Sequence, residues 1–149
     1  MNKLEYLVTE INNYANLQGW GFAHGFLSGI NQKENEGDNT TFLQLFDMKI
    51  APTFESVGLD FSTFQADIFI GRHSEVSEVF YPQESGVTGE PTRFEKYFVP
   101  LYSEMVDFIN AMSVCQDISF ERISPIVKKI NYQDHNMDGY LINATIKVY

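Results

Sequence analysis

The chain has 149 residues, 44% of them hydrophobic and 15% aromatic, enough for one domain with a real core and too apolar for general disorder. Ten Lys and Arg stand against twenty Asp and Glu, a formal charge of -10 and a pI near 4.6; this balance disfavours a phosphate backbone as partner and suits either a basic partner or a merely solvated acidic face. A single cysteine, Cys115, excludes an intrachain disulfide and a cysteine zinc site, and no run reaches the ~18–20 apolar residues of a membrane helix.

The charge is uneven: residues 1–90 hold 4 basic and 13 acidic side chains, residues 91–149 hold 6 and 7. The first stretch, "MNKLEYLVTEINNY", has charges and asparagines where a secretory core would be apolar. Its Leu4, Leu7, Val8, Ile11, Tyr14 and Leu17 recur at helical spacing, which predicts an amphipathic helix over 3–17 stopped by Gly19. "GWGFAHGFLSG" then reads as a short irregular aromatic strand with Trp20, Phe22 and Phe26. It is not a dinucleotide fingerprint, since a helix precedes it and the third glycine falls one residue late.

Residues 31–40, "NQKENEGDNT", are polar, acidic and glycine-containing, a loop. "TFLQLFDMKIAPTF" predicts one strand ended by Pro52, with Phe42, Phe46, Met48 and Ile50 on one side. "FSTFQADIFIGRHSE" predicts its antiparallel partner, with Phe64, Ala66, Ile68 and Ile70 on one face, Gln65 and Asp67 on the other, and a turn through Ser56, Val57 and Gly58 between the two. Residues 81–92 form a second loop. Phe94, Phe98, Leu101, Met105, Phe108 and Met112 step by four and three, the cleanest helical pattern in the chain; Pro100 belongs in its first turn, with 94–98 a turn or kink before it. Cys115 follows as a small core residue. Strands are expected around 117–123, 126–132 and 139–148, with Pro125 between the first two. Tyr140, Ile142, Ala144, Ile146 and Val148 share the apolar face of the last. Together these elements predict an α+β domain: an antiparallel sheet of about four to five strands packed by an N-terminal helix and one central helix.

Asp134, Asn136, Asp138 and Gly139 fit the first half of a calcium-loop pattern. The twelfth position, which must supply a bidentate Glu, is Thr145, and an alternating strand follows where a helix should stand. A hairpin turn between 126–132 and 139–148 explains the same residues, because Asn, Asp and Gly tolerate or supply positive φ. Asp134, Asn136 and Asp138 therefore remain only a weak cation turn, and no cofactor or metal is expected.

The histidines His24, His73 and His135 are scattered, and no nucleophile elbow, phosphate loop or zinc-protease motif occurs. Asp47 and Asp67 fall on neighbouring predicted strands and could face each other, but polar residues on a solvated sheet face account for them. No active site is read from the sequence. The aromatic excess instead points to a surface for self-association or docking, with Trp20, Phe22, Phe26, Glu34, Glu36, Asp38, Tyr81 and Tyr140 as interface candidates.

The order of elements, carried by "GWGFAHGF", "FLQLFDMKIAP", "VPLYSEMVDFINAM" and "DHNMDGYLINATIKV", resembles the small structural proteins of the head–tail neck of tailed bacteriophages, of the tail-terminator and tail-completion type, in the form seen in phages and prophages of Bacteroidetes hosts. Asp134, Asn136, Asp138, Gly139 and Tyr140 match the ending of that family, an Asp/Asn-rich turn, Gly, an aromatic and an alternating strand. The resemblance implies a virion protein assembled in the host cytoplasm, acting without catalysis as a ring, expected to be a hexamer. Its partners would be copies of itself and neighbouring tail-tube or neck proteins, with no membrane and no sequence-specific nucleic acid. The acidic charge would then line the lumen or meet a basic ring. Two other classes stay open: an acidic toxin-immunity or inhibitor protein with a basic target, and a small-ligand or enzyme domain using the aromatic sheet as a pocket.

Overall fold

The computed structural model is described here over residues 2–25, 40–55, 58–73, 92–132 and 137–149, with backbone alone at 52–55, 58–61, 131 and 132. Helix α1 spans Lys3–Leu17, as its spacing predicts. The Asn2 side chain caps it by accepting from the Glu5 amide at 2.8 Å, and Glu5 places a negative charge against the positive end of the helix. At the other end Gly19 takes φ 74, its amide donates to Asn16 and the Trp20 amide donates to Ala15, a Schellman termination that needs a left-handed residue. Leu7, Ile11 and Ala15 are buried, while Leu4 and Leu17 at the ends of the apolar stripe are exposed.

The strands are β1 (Gly21–His24), β2 (Phe42–Leu45), β3 (Lys49–Glu55), β4 (Gly58–His73), β5 (Ile118–Ile123), β6 (Val127–Tyr132) and β7 (Met137–Val148). They form one mixed seven-stranded sheet in an α+β fold. The excess over the four to five expected has a simple cause. β2 and β3 pair with the same edge of β4, at Ile68–Gly71 and Gly58–Gln65, and β5 and β6 pair with the same edge of β7, at Ala144–Val148 and Met137–Leu141. Each flanking row is thus one long strand interrupted once, at Phe46–Met48 and at Ser124–Ile126, where Pro125 lacks an amide hydrogen. The Phe46 and Ser124 amides still bond to Asp67 and Asn143 carbonyls across the breaks, so the rows stay attached.

Three expectations are corrected. The sheet is not wholly antiparallel, because β1 runs parallel to β2, from Gly21 beside Phe42 to His24 beside Leu45. A parallel neighbour requires the intervening chain to cross back to the starting end. Pro52 does not end its strand: it sits inside β3 opposite Ser62, on an outer row where a missing donor is tolerated. The aromatic strand is shorter than its motif, with Trp20 just before β1 and Phe26 outside the described residues, as are Ser56 and Val57 of the expected turn.

The central helix α2 spans Val99–Ser113 with Pro100 in its first turn, and the kinked start is a π-helical turn over Phe94–Phe98. Leu101, Met105, Phe108 and Met112 are buried against Phe64, Ala66, Ile68 and Ile70 of β4, Ile142, Ala144, Ile146 and Val148 of β7, and Leu43 and Leu45 of β2. Tyr14 meets both Trp20 and Phe108 edge-on, with ring centres 5.5 and 5.4 Å apart, and so joins the two helices over one face of the sheet. Phe42, Phe69 and Met137 make a second, smaller cluster on the far face, so the far side of β2 is not the polar surface that simple alternation implies.

Candidate functional site

At the end of the sheet where β4 finishes, Arg72 and Asp138 stand opposite one another on β4 and β7, and Thr41 directly precedes Phe42, which pairs with Gly71. Alternation puts Thr41, Arg72 and Asp138 on the helix face, one step beyond the apolar core. Glu104 from α2 and Arg93 from just before the π turn complete the group. Arg72 Nε donates to Thr41 Oγ1 at 3.0 Å and Arg72 Nη2 to Glu104 Oε1 at 2.8 Å, while Thr41 Oγ1 donates to Glu104 Oε2 at 2.5 Å. Deeper in, Arg93 grips Asp138 with two parallel bonds, Nε to Oδ2 at 2.9 Å and Nη2 to Oδ1 at 2.6 Å, and both side chains are buried. Fork-to-carboxylate geometry of this kind is the strong and directional form of an ion pair.

Four of these five residues, all but Glu104, sit at the roots of three stretches of chain. Thr41 follows residues 26–39; Arg72 and Arg93 flank residues 74–91; Asp138 follows residues 133–136. The polar group therefore holds one root of residues 26–39, one root of residues 133–136 and both roots of residues 74–91. Their sequence is acidic: residues 26–39 and 74–91 contain Glu34, Glu36, Asp38, Glu75, Glu78, Glu84 and Glu90 against Lys33, a net -6 of the chain's -10. The acidity read from the whole sequence is thus concentrated in two segments that each have a root in this polar group.

The structure brings few of the sequence-derived candidates together. Phe26, Glu34, Glu36, Asp38, Tyr81, Asp134 and Asn136 lie outside the described residues. Trp20, Phe22 and Tyr140 are partly buried and pack on the chain's own core. The Tyr140 hydroxyl donates to the Phe98 carbonyl at 2.9 Å and its ring meets Phe98 edge-on at 5.6 Å; burial first, and Tyr102 second, push its phenol above the ordinary tyrosine value. Asp138 departs from the calcium reading, since both its oxygens accept from Arg93. Gly139 is not a turn glycine either: it lies within β7 opposite Gly71, and a Cβ there would stand 2.1 Å from the Ile70 carbonyl oxygen.

The remaining chemistry is sparse. The Asp67 carboxylate accepts from the Asn143 side-chain amide at 2.6 Å on the exposed face of the sheet. Cys115 donates to the Ala111 carbonyl, and burial, then Glu10, raises its thiol above the usual value, the opposite of an activated nucleophile. Among the described residues no cluster of three or more His, Cys, Asp and Glu side chains could hold a metal, and no described helix is long and apolar enough to cross a membrane. A cleft of about 250 Å³ lies between the start of α1 and the end of β7, lined by Asn2, Lys3, Tyr6, Asp117, Val148 and Tyr149.

The described sheet edges carry features that discourage strand addition. β1 is four residues long, β3 holds Pro52 and a register shift at Thr53/Phe54, β5 shifts at Phe120/Arg122, and β6 carries Lys128 and Lys129. Compared with known proteins, the chain matches no family model, and no curated protein matches it.

Proposed function

We propose that the protein is a non-catalytic structural subunit of the head–tail neck or tail terminus of a tailed phage, working through repeated contacts between copies in a ring. The observation that carries this reading is the polar group of Thr41, Arg72, Glu104, Arg93 and Asp138, which anchors one root of the acidic 26–39 segment and both roots of the acidic 74–91 segment where β4 finishes. Such a layout suits a surface presented to a neighbour. The elements also follow the order that the phage resemblance implies: an N-terminal helix, strands, one central helix and a closing strand. With the described edges poorly suited to strand addition, side chains and acidic segments would make the contacts.

A second reading, an acidic toxin-immunity or inhibitor-type binding protein, is favoured by the same blunted edges, which keep a protein monomeric, and by the acidic segments, which fit a basic target. Light scattering on purified protein separates the two. A ring of about six copies has a mass near six times 17.1 kDa. A particle of that size supports the ring, whereas 17.1 kDa at every concentration favours the single-partner reading.

A further inference from the structure

Resting on the ring reading, we propose that the open, helix-free face of the sheet around Lys49 and Arg122 is the seat for a second copy of this chain, which packs there with its acidic α1–α2 layer. Because Phe64, Ala66, Ala144 and Ile146 face the helices, Gln65, Asp67, Asn143 and Thr145 face the other way. One row on that far face crosses four strands: Lys49 of β3 stands opposite Gln65 of β4, Gln65 opposite Thr145 of β7, and Thr145 opposite Arg122 of β5. Three strand spacings set the two cations about 14 Å apart, with an amide and a hydroxyl between them. Lys49, Gln65 and Arg122 are exposed, and among the described residues neither cationic side chain has an ion pair or a hydrogen bond. Beside this row the charges are already matched: Lys147 lies 3.9 Å from Glu121, and Asp67 accepts from Asn143.

Charge and position choose a second copy as the occupant. The chain totals -10, so another acidic copy is favoured only where cations are displayed. The helix layer supplies the acids: α1 carries Glu5 and Glu10 beside Lys3, and α2 carries Glu104 and Asp107 with no Lys or Arg. Glu104 is held by Arg72, whereas Glu5, Glu10 and Asp107 form no ion pair among the described residues. Glu10 and Asp107 stand near Tyr6 and Tyr14, whose phenols are raised by burial first and by these carboxylates second. The helices cover one face of the sheet and the row from Lys49 to Arg122 lies on the other, so acids and cations occupy opposite sides of one molecule. Unlike surfaces on opposite sides make a head-to-tail contact, the kind that closes into a ring; a two-fold contact would set cations against cations.

Charge exchange tests this. One variant carries Lys49→Glu and Arg122→Glu, a second carries Glu10→Lys and Asp107→Lys, and native mass is measured for each and for their equimolar mixture, with Tm checked alongside. The wild type should assemble. Each variant alone should need at least about tenfold more protein to do so, with Tm within a few degrees of wild type. The mixture should assemble again, because the reversed sheet face of one variant matches the reversed helix layer of the other. Lys49→Gln with Arg122→Gln, a milder change at the same exposed positions, should weaken assembly in the same direction and stands in for a reversed variant that does not fold. Rings formed by both reversed variants at the wild-type concentration would overturn the seat and leave the ring reading standing. A mixture of folded variants that fails to assemble, or a Gln variant that assembles as the wild type does, would also overturn the seat. A wild type that stays monomeric would overturn both.

Discussion

Asp138→Asn keeps the shape of the side chain and removes the charge that faces Arg93. Both residues are buried, and the pair is bidentate at 2.9 and 2.6 Å. Taking the charge from one side of a buried pair costs about 3–5 kcal/mol, because the other ion has already given up its water. For 149 residues the unfolding entropy sums to about 0.3 kcal/mol/K, so Tm should fall by about 10–15 °C in thermal unfolding followed by circular dichroism. Replacing both partners by apolar residues, Arg93→Met with Asp138→Leu, should recover much of the loss, since neither ion is then desolvated. Calcium should not raise the wild-type Tm, as the Asp138 oxygens are already engaged. An Asp138→Asn protein within about 3 °C of wild type would refute the pairing argument. So would calcium stabilising the wild type and not the variant, which would make Asp138 a metal ligand.

Gly139→Ala should be at least as damaging, because the new Cβ would meet backbone only, 2.1 Å from Ile70 O and 2.6 Å from Gly71 Cα, and β4 and β7 would have to separate; denaturant unfolding should show a loss of about 3 kcal/mol or more. Glu104→Gln removes a pair whose side chains are 17% and 27% exposed, so the loss should be about 1 kcal/mol and should shrink in salt, measured by the same unfolding at two ionic strengths. Burial raises the phenols of Tyr6, Tyr14 and Tyr140, so the folded state holds these protons more tightly than the unfolded chain. Their contribution is therefore complete below the ordinary tyrosine value near 10 and is lost as pH rises through the folded values. Unfolding free energy should fall above about pH 10, with less of a fall in Tyr140→Phe.

What could be read from the sequence was what repeats locally. The α1 stripe and Gly19 delimit Lys3–Leu17, and the four-and-three spacing with Pro100 locates α2 and its kinked start. The faces of β4 and β7 follow from alternation. The parallel pairing of β1 was hidden because four residues carry no sign of which neighbour they join or in which direction. The polar group was hidden because its bonds span 63 residues from Thr41 to Glu104, 32 from Arg72 to Glu104 and 45 from Arg93 to Asp138, and no local pattern records such pairs. Gly139 shows a different limit: a glycine beside Asn and Asp looks like a turn, and only the register opposite Gly71 shows that close backbone approach is its reason.

The proposal that the chain works through a repeated interface is tested most directly by single-particle electron-microscopic class averages of the purified protein. The account predicts closed rings of about six head-to-tail copies around an open centre. Isolated single particles at high concentration, or two-fold dimers with no ring, would contradict it.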